Sequence, residues 1–188
     1  MYLGNFIKNL NRKYHKIYFS GLAFNSKQVK KNNIFFAIKG KRFDGNKYIF
    51  DAINKGAKII ISKKNIKLND KNIIFLRDNN PRKLLAEISF KLIKKKPKNL
   101  VAVTGTNGKS SVANFYYQIL TLNNKRAATI GTLGVNSKKI NFDLSNTTID
   151  PIQLGQILKK LKKQKIENVI MEASSHGLEQ NRQDGLIF

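Results

Sequence analysis

A chain of 188 residues, 41% hydrophobic and 25% charged, holds enough apolar material for one large domain or two small ones, and its lack of cysteine excludes disulfides and thiolate metal sites. No stretch reaches the roughly 18 to 20 unbroken apolar residues of a membrane span, and Met1–Leu10 lacks the apolar core and cleavage site of a signal peptide. The formal net charge of +25 raises nucleic-acid binding, but the 36 basic residues are scattered through every segment. Only Lys94–Lys96 and Lys159–Lys160 with Lys162–Lys163 form short runs, so the lysines read as a solvated surface that favours anionic substrates. The expectation is a soluble, cytoplasmic monomer with no nucleic-acid or membrane partner.

In chain order, Ile34–Ile38 is a continuous apolar run bounded by Asn33 and Gly40, which predicts a buried strand. Tyr48, Ile49, Ala52 and Ile53 recur at helical spacing, with Gly56 as the stop. Ala57–Ile61 and Asn72–Leu76 read as further strands. Asn80–Pro81 supplies an N-cap and a first-turn proline for a helix that buries Leu84, Leu85, Ile88 and Leu92. The polar run to Pro97 marks a domain boundary. The second half repeats the rhythm: strand Leu100–Val103, helix Ser110–Leu122, strand Arg126–Ile130, helix Pro151–Gln164 and strand Asn168–Met171. In the Pro151 helix, Ile152, Leu154, Ile157, Leu158 and Leu161 face inward. Apolar strands joined by helices predict an α/β fold with a parallel sheet. Gly185–Phe188 reads as a strand that has only begun, from which truncation is expected.

The stretch Val101–Ser111, VAVTGTNGKSS, carries the most chemistry. A buried strand leads to a loop with two glycines and then a helix opening on Lys109, Ser110 and Ser111. Glycines let the backbone approach an anion, and N–H groups at the helix start point at phosphate oxygens. Lys109 reaches the β/γ-phosphates and the Ser110 hydroxyl can ligate Mg²⁺. The Walker A pattern is incomplete, since Val103 stands where an earlier glycine is expected.

Thr104–Ser110, TGTNGKS, resembles the ATP loop of the Mur ligase family, which includes the folylpolyglutamate synthetases. Gly40–Gly45 (GKRFDG), Asn146–Thr148 (NTT) and Met171–Leu178 (MEASSHGL) narrow the resemblance to the MurE type. It covers essentially the whole chain in the family's order and spacing. The resemblance implies a small N-terminal α/β UDP-sugar-binding domain over residues 1–97. The first part of a P-loop-type parallel-sheet ATPase domain follows over residues 98–188. It places ATP on Gly105, Thr106, Asn107, Gly108, Lys109, Ser110 and Ser111, makes Ser110 and Glu172 the Mg²⁺ ligands, and makes Lys109 and Glu172 the catalytic pair. Asn146, Thr147, Thr148, Ser174, Gln180 and Arg182 match substrate-binding positions, and Arg182 suits a two-bond fork on an anion. Phe24, Ser26, Lys41, Arg42 and Phe43 match segments that hold the uridine end. Asn25 and Lys27 stand where the family carries an acid and an arginine, which loses a charge and a bidentate fork. His176 stays outside the catalytic set.

The function implied is an ATP-dependent amide-bond-forming ligase of peptidoglycan precursor synthesis. A carboxylate of UDP-MurNAc-L-Ala-D-Glu is phosphorylated by ATP, and an amino acid's amine attacks the acyl phosphate. Meso-diaminopimelate rather than L-lysine is expected as that amino acid, on frequency alone. The family also needs a carbamylated lysine, a histidine and a C-terminal domain, all downstream of residue 188. The alternative is therefore a non-catalytic fragment that binds the UDP-sugar dipeptide and nucleotide, with the 188-residue chain alone inactive.

Overall fold

Consecutive β-branched and aromatic residues with no polar alternation demand burial on both faces, and β-strands with helical crossovers meet that demand. The computed structural model describes residues 1–40, 43–66, 70–144 and 149–188. The chain divides into two units, Met1–Ile88 and Ser89–Phe188. In the first, β1 (Gly21–Ala23), β2 (Asn33–Ala37), β3 (Ala57–Ser62) and β4 (Ile74–Arg77) form a sheet in that order, parallel throughout. Every residue of β2 is buried, and Ile34, Phe35 and Phe36 lie opposite Ile59, Ile60 and Ile61 of β3. On one face the helix α1 (Ile49–Asn54) adds Ile49 and Ala52 to a cluster with Phe35, Ala37, Ala57 and Ile60.

Tyr48, expected on the inward stripe of this helix, instead ends the 3₁₀ turn Gly45–Tyr48 and is exposed. Gly56 takes the left-handed backbone at φ +98, where its N–H reaches the Ile53 carbonyl at 2.8 Å. It stops the helix for the reason glycine usually does. The strand expected at Asn72–Leu76 begins two residues later, because Asp70 draws Asn72 into a turn through its backbone N–H at 2.8 Å. At the described ends of the motif Gly40–Gly45, Gly40 N–H donates to the Phe43 carbonyl at 2.7 Å and Gly45 N–H to the Ile38 carbonyl at 2.9 Å. A Cβ at Gly45 would sit 2.7 Å from both Ile38 N and Ile38 O, so glycine is required there.

The helix α2 (Pro81–Lys91) starts as expected, with the Asn80 side chain accepting from Lys83 N–H at 3.1 Å. Leu85 and Ile88 are buried and Leu84 is half-buried, while Leu92 falls just past the helix end. The division between the units lies inside this helix.

The second unit contains β5 (Asn99–Val103), α3 (Lys109–Leu122), β6 (Ala127–Gly131), β7 (Gly134–Ser137), β8 (Asn141–Phe142), α4 (Pro151–Lys163), β9 (Asn168–Glu172) and α5 (Ser175–Glu179). Its sheet runs β5-β9-β6-β7-β8. The first three strands are parallel, as expected, but β7 and β8 extend the sheet antiparallel. Gly134, at φ +84, makes the tight return from β6, and a Cβ there would come within 2.3 Å of the Phe142 carbonyl oxygen. In α4 Leu154, Ile157, Leu158 and Leu161 are buried and Ile152 half-buried, and Asp150 caps the helix by accepting from Gln153 N–H at 2.9 Å. Gly185–Phe188 is a turn and an irregular tail, not the strand expected. A strand needs a ladder partner, and these residues pair with none among the described residues. Leu186 and Phe188 instead line a cavity of about 370 Å³ with Ala102, Ala173 and Leu178.

Asn25 caps the 3₁₀ turn Ser26–Gln28 by accepting from Lys27 N–H at 3.0 Å. The Ser26 hydroxyl, together with Lys55 at 3.0 Å, lowers the Asp51 carboxyl on α1 below its ordinary value of 3.8. A depressed carboxyl adds stability above its ordinary value and loses it as the pH falls through the folded value. Ser26→Ala is expected to raise the Asp51 pKa and shrink this acid-side loss. Carboxyl NMR titration checks it, and an unmoved Asp51 would contradict the assignment.

Candidate active site

All three parallel strands of the second sheet end at one edge, and that edge brings the loop Thr104–Gly108 and the start of α3 together with Glu172. From β5 the chain enters the exposed loop Thr104–Gly108, where Gly105 and Gly108 hold φ +147 and +78. Gly108 is the N-cap of α3 and no side chain caps that helix, whereas Asp150 and Ser174 cap α4 and α5. The first turn, with Lys109, Ser110 and Ser111, therefore presents its N–H groups and the positive end of the helix dipole to the loop. The Lys109 ammonium arches over the same loop, donating to the Gly105 carbonyl at 2.7 Å and the Thr106 carbonyl at 3.2 Å.

Glu172 ends β9, the strand between β5 and β6, and it is only 4% exposed. Its Oε1 accepts from the Ser110 hydroxyl at 3.0 Å, joining two residues 62 positions apart in sequence. The same oxygen accepts from Thr132 N–H at 3.0 Å, and Oε2 accepts from the Thr132 hydroxyl at 3.0 Å. Room for this carboxylate comes from Gly131, where a Cβ would lie 2.1 Å from Oε1. Gly131 and Thr132 were not anticipated. The available signal was a Gly-Thr pair immediately after an apolar strand, at the edge where parallel sheets bind ligands. A hydroxyl and an oriented carboxylate are hard oxygen donors, and they fit Mg²⁺, which takes one or two protein oxygens and completes its shell with phosphate and water.

Beyond β9, Ser174 caps α5, its Oγ accepting from Gly177 N–H at 3.1 Å. Gln180 Oε1 accepts from Arg182 Nε at 3.1 Å and Nη2 at 2.8 Å, so the guanidinium fork is already turned toward a planar acceptor. His176 is exposed, 2.7 Å from Gln180 Nε2 and 3.4 Å from Glu179, which makes it a surface hydrogen-bonding residue of α5. In the first unit Phe24 and Phe43 are exposed and Ser26 is buried. Lys41, Arg42, Asn146, Thr147 and Thr148 lie outside the described residues.

Parallel strands ending at one edge, a glycine loop and an uncapped helix start define an α/β protein whose second unit has the loop-and-helix form suited to an anion. A family model described as the Mur ligase middle domain matches residues 103–188, and one described as Mur ligase family, catalytic domain, matches residues 18–94. The chain belongs to the Mur ligase family. It is 44% identical over 179 residues to the UDP-N-acetylmuramoyl-L-alanyl-D-glutamate--2,6-diaminopimelate ligase of Rickettsia prowazekii (strain Madrid E), covering 93% of this chain and 37% of that protein. With the ligase of the same name from Zymomonas mobilis subsp. mobilis, identity is 39% over 165 residues, covering 88% of this chain and 34% of that one. The chain thus spans little more than a third of the length of these curated relatives. A solved ligase structure of the same name matches with a TM-score of 0.78 and 28% identity, over 95% of this chain and 36% of that one. MurF ligase from Thermotoga maritima in complex with ADP matches with a TM-score of 0.50 and 26% identity, over 82% and 32%.

Because Gly131 packs backbone against the Glu172 carboxylate, Gly131→Ala must push one of them away. We expect a loss of about 1–3 kcal/mol, as for overpacked sites. Urea unfolding of the two chains measures it, and equal stabilities would show that Glu172 is not seated here.

Proposed function

We propose that the protein is an ATP-dependent amide-bond-forming ligase of peptidoglycan precursor synthesis. It would join meso-diaminopimelate to UDP-MurNAc-L-Ala-D-Glu in the cytoplasm, as a monomer without nucleic-acid or membrane partners. The observation that carries the reading is the 3.0 Å bond between Ser110 and Glu172, which unites the phosphate loop with a buried carboxylate. The choice of amino acid is supported by relatives 39–44% identical that are named 2,6-diaminopimelate ligases. Among the described residues no helix is long and apolar enough to cross a membrane.

In this reading residues 1–97 hold the UDP-sugar end, through Phe24, Ser26, Lys41, Arg42 and Phe43. Residues 98–188 begin the ATP domain. The N–H groups of Gly105, Thr106, Asn107, Gly108, Ser110 and Ser111 cradle the phosphates, and the Lys109 ammonium neutralises the oxygens farthest along the chain. Ser110 and Glu172 hold Mg²⁺. Bound there, Mg²⁺ supplies positive charge against the phosphate oxygens. Asn146, Thr147, Thr148, Ser174, Gln180 and Arg182 bind the sugar-peptide and orient its carboxylate, so that rate comes from positioning and preorganised charge.

A second reading is favoured by the fraction of the relatives that the chain spans: these 188 residues bind substrate and nucleotide but do not turn over. Phosphate release from ATP with UDP-MurNAc-L-Ala-D-Glu and either diaminopimelate or L-lysine separates the two. Diaminopimelate-dependent release supports the ligase reading for this chain itself. Nucleotide binding without release supports the second reading, and neither binding nor release sinks both. Lys109→Ala removes a charged hydrogen bond worth about 1.5–3 kcal/mol, so nucleotide affinity is expected to fall about 10- to 100-fold. Calorimetry reads that change directly.

A further inference from the structure

We infer that Thr132 is a positioning residue of the cation site, fixing the Glu172 carboxylate so that it can share a divalent cation with Ser110. The inference rests on Ser110 and Glu172 being Mg²⁺ ligands, as proposed above. Thr132 touches both carboxylate oxygens, through its N–H to Oε1 and its hydroxyl to Oε2, each at 3.0 Å. Two-point attachment of this kind fixes the plane of the carboxylate as well as its position.

Ser110 cannot do the same in a loaded site. Its hydroxyl now donates to Oε1 at 3.0 Å. When that oxygen coordinates a cation its lone pair faces the metal, and its hydrogen must turn away from a carboxylate bound to the same metal. The Ser110–Glu172 bond is therefore exchanged for shared coordination. The Thr132 bonds are not, because a carboxylate has about four lone-pair sites and accepts two donors while binding a metal. Partners of this type set the orientation of metal ligands, and their loss typically costs 10- to 100-fold in metal affinity.

Packing does not explain the residue. Thr132 is exposed at the crest of the turn between β6 and β7, so its methyl and hydroxyl are not needed to fill a core. Its side chain is committed to a carboxylate 40 positions away.

The test measures ADP affinity by calorimetry, in EDTA and in excess MgCl₂, for the unmodified chain and for Thr132→Val, Thr132→Ser and Glu172→Gln, with melting curves for each. Thr132→Val keeps the shape and the backbone N–H and removes only the hydroxyl. It is expected to lose about 10-fold of the Mg²⁺-dependent gain in affinity. Its affinity in EDTA should stay unchanged, and Thr132→Ser should restore the gain. Full retention of the gain in Thr132→Val, with its loss in Glu172→Gln, overturns the role of Thr132 alone. Equal weakening with and without Mg²⁺ also overturns it, because the residue is then merely structural. An unmodified chain whose ADP affinity ignores Mg²⁺, or a Glu172→Gln chain that keeps the gain, overturns the cation site and this inference with it.

Discussion

The chain carries 36 basic and 11 acidic side chains, yet among the described residues only one of them, Glu172, is buried. Removing a carboxylate from water costs several kcal/mol unless donors replace the lost hydration. That requirement organises the edge of the second sheet. Glu172 ends the strand between β5 and β6, and the two neighbouring strands send their continuing chains past it. One passage brings Ser110 and the other brings Thr132. Gly131 has no side chain because the carboxylate occupies the space that a Cβ would need. A fold that placed any of these elements elsewhere would strand a buried charge, so site geometry and local stability share one constraint.

The remaining charges act differently. Lys55–Asp51 is an exposed ion pair and Lys162–Glu167 a half-buried one at the surface, and pairs of the exposed kind contribute little to stability. The lysine excess does not hold the fold together. That task falls to the apolar faces of β2, β3 and β9 and to the buried stripe of α4. The surface lysines set a positive potential over the whole molecule, which draws anions in without choosing among them. Positive charge is focused locally at the uncapped start of α3 and at the ammonium of Lys109.

Most of the architecture was legible because it rests on local signals. Continuous runs such as Ile34–Ile38 and Asn168–Met171 announced buried strands, and Asn80–Pro81 and Gly56 announced where helices begin and stop. The two-residue strand β8 and the polar strand β7 had no such signal, since their pairing depends on a left-handed Gly134 and on a neighbour already in place. The strand, glycine loop and helix over Val101–Ser111 were legible for the same local reason, being adjacent in sequence. Thr132 was not. Its meaning lies in a contact across 40 residues, and a Gly-Thr pair after an apolar strand looks like any turn until the partner strand is known. The tail Gly185–Phe188 misled in the opposite way, since apolar residues predict burial and strand formation also needs an edge to pair with.

The substitutions at Asn25 and Lys27 follow the same separation between local geometry and charge. The amide oxygen of Asn25 accepts from Lys27 N–H at 3.0 Å, a bond an aspartate would also make. The turn that presents Ser26 is therefore kept while one negative charge is lost. Lys27 contributes its positive charge to the field that lowers the Asp51 pKa, and it needs no guanidinium fork to do so. What the two positions retain is the set of interactions that shape the turn, and what they give up is charge and bidentate bonding beyond it. At Glu172 charge and geometry are not separable in this way, because hydrogen bonds from Ser110 and Thr132 answer both.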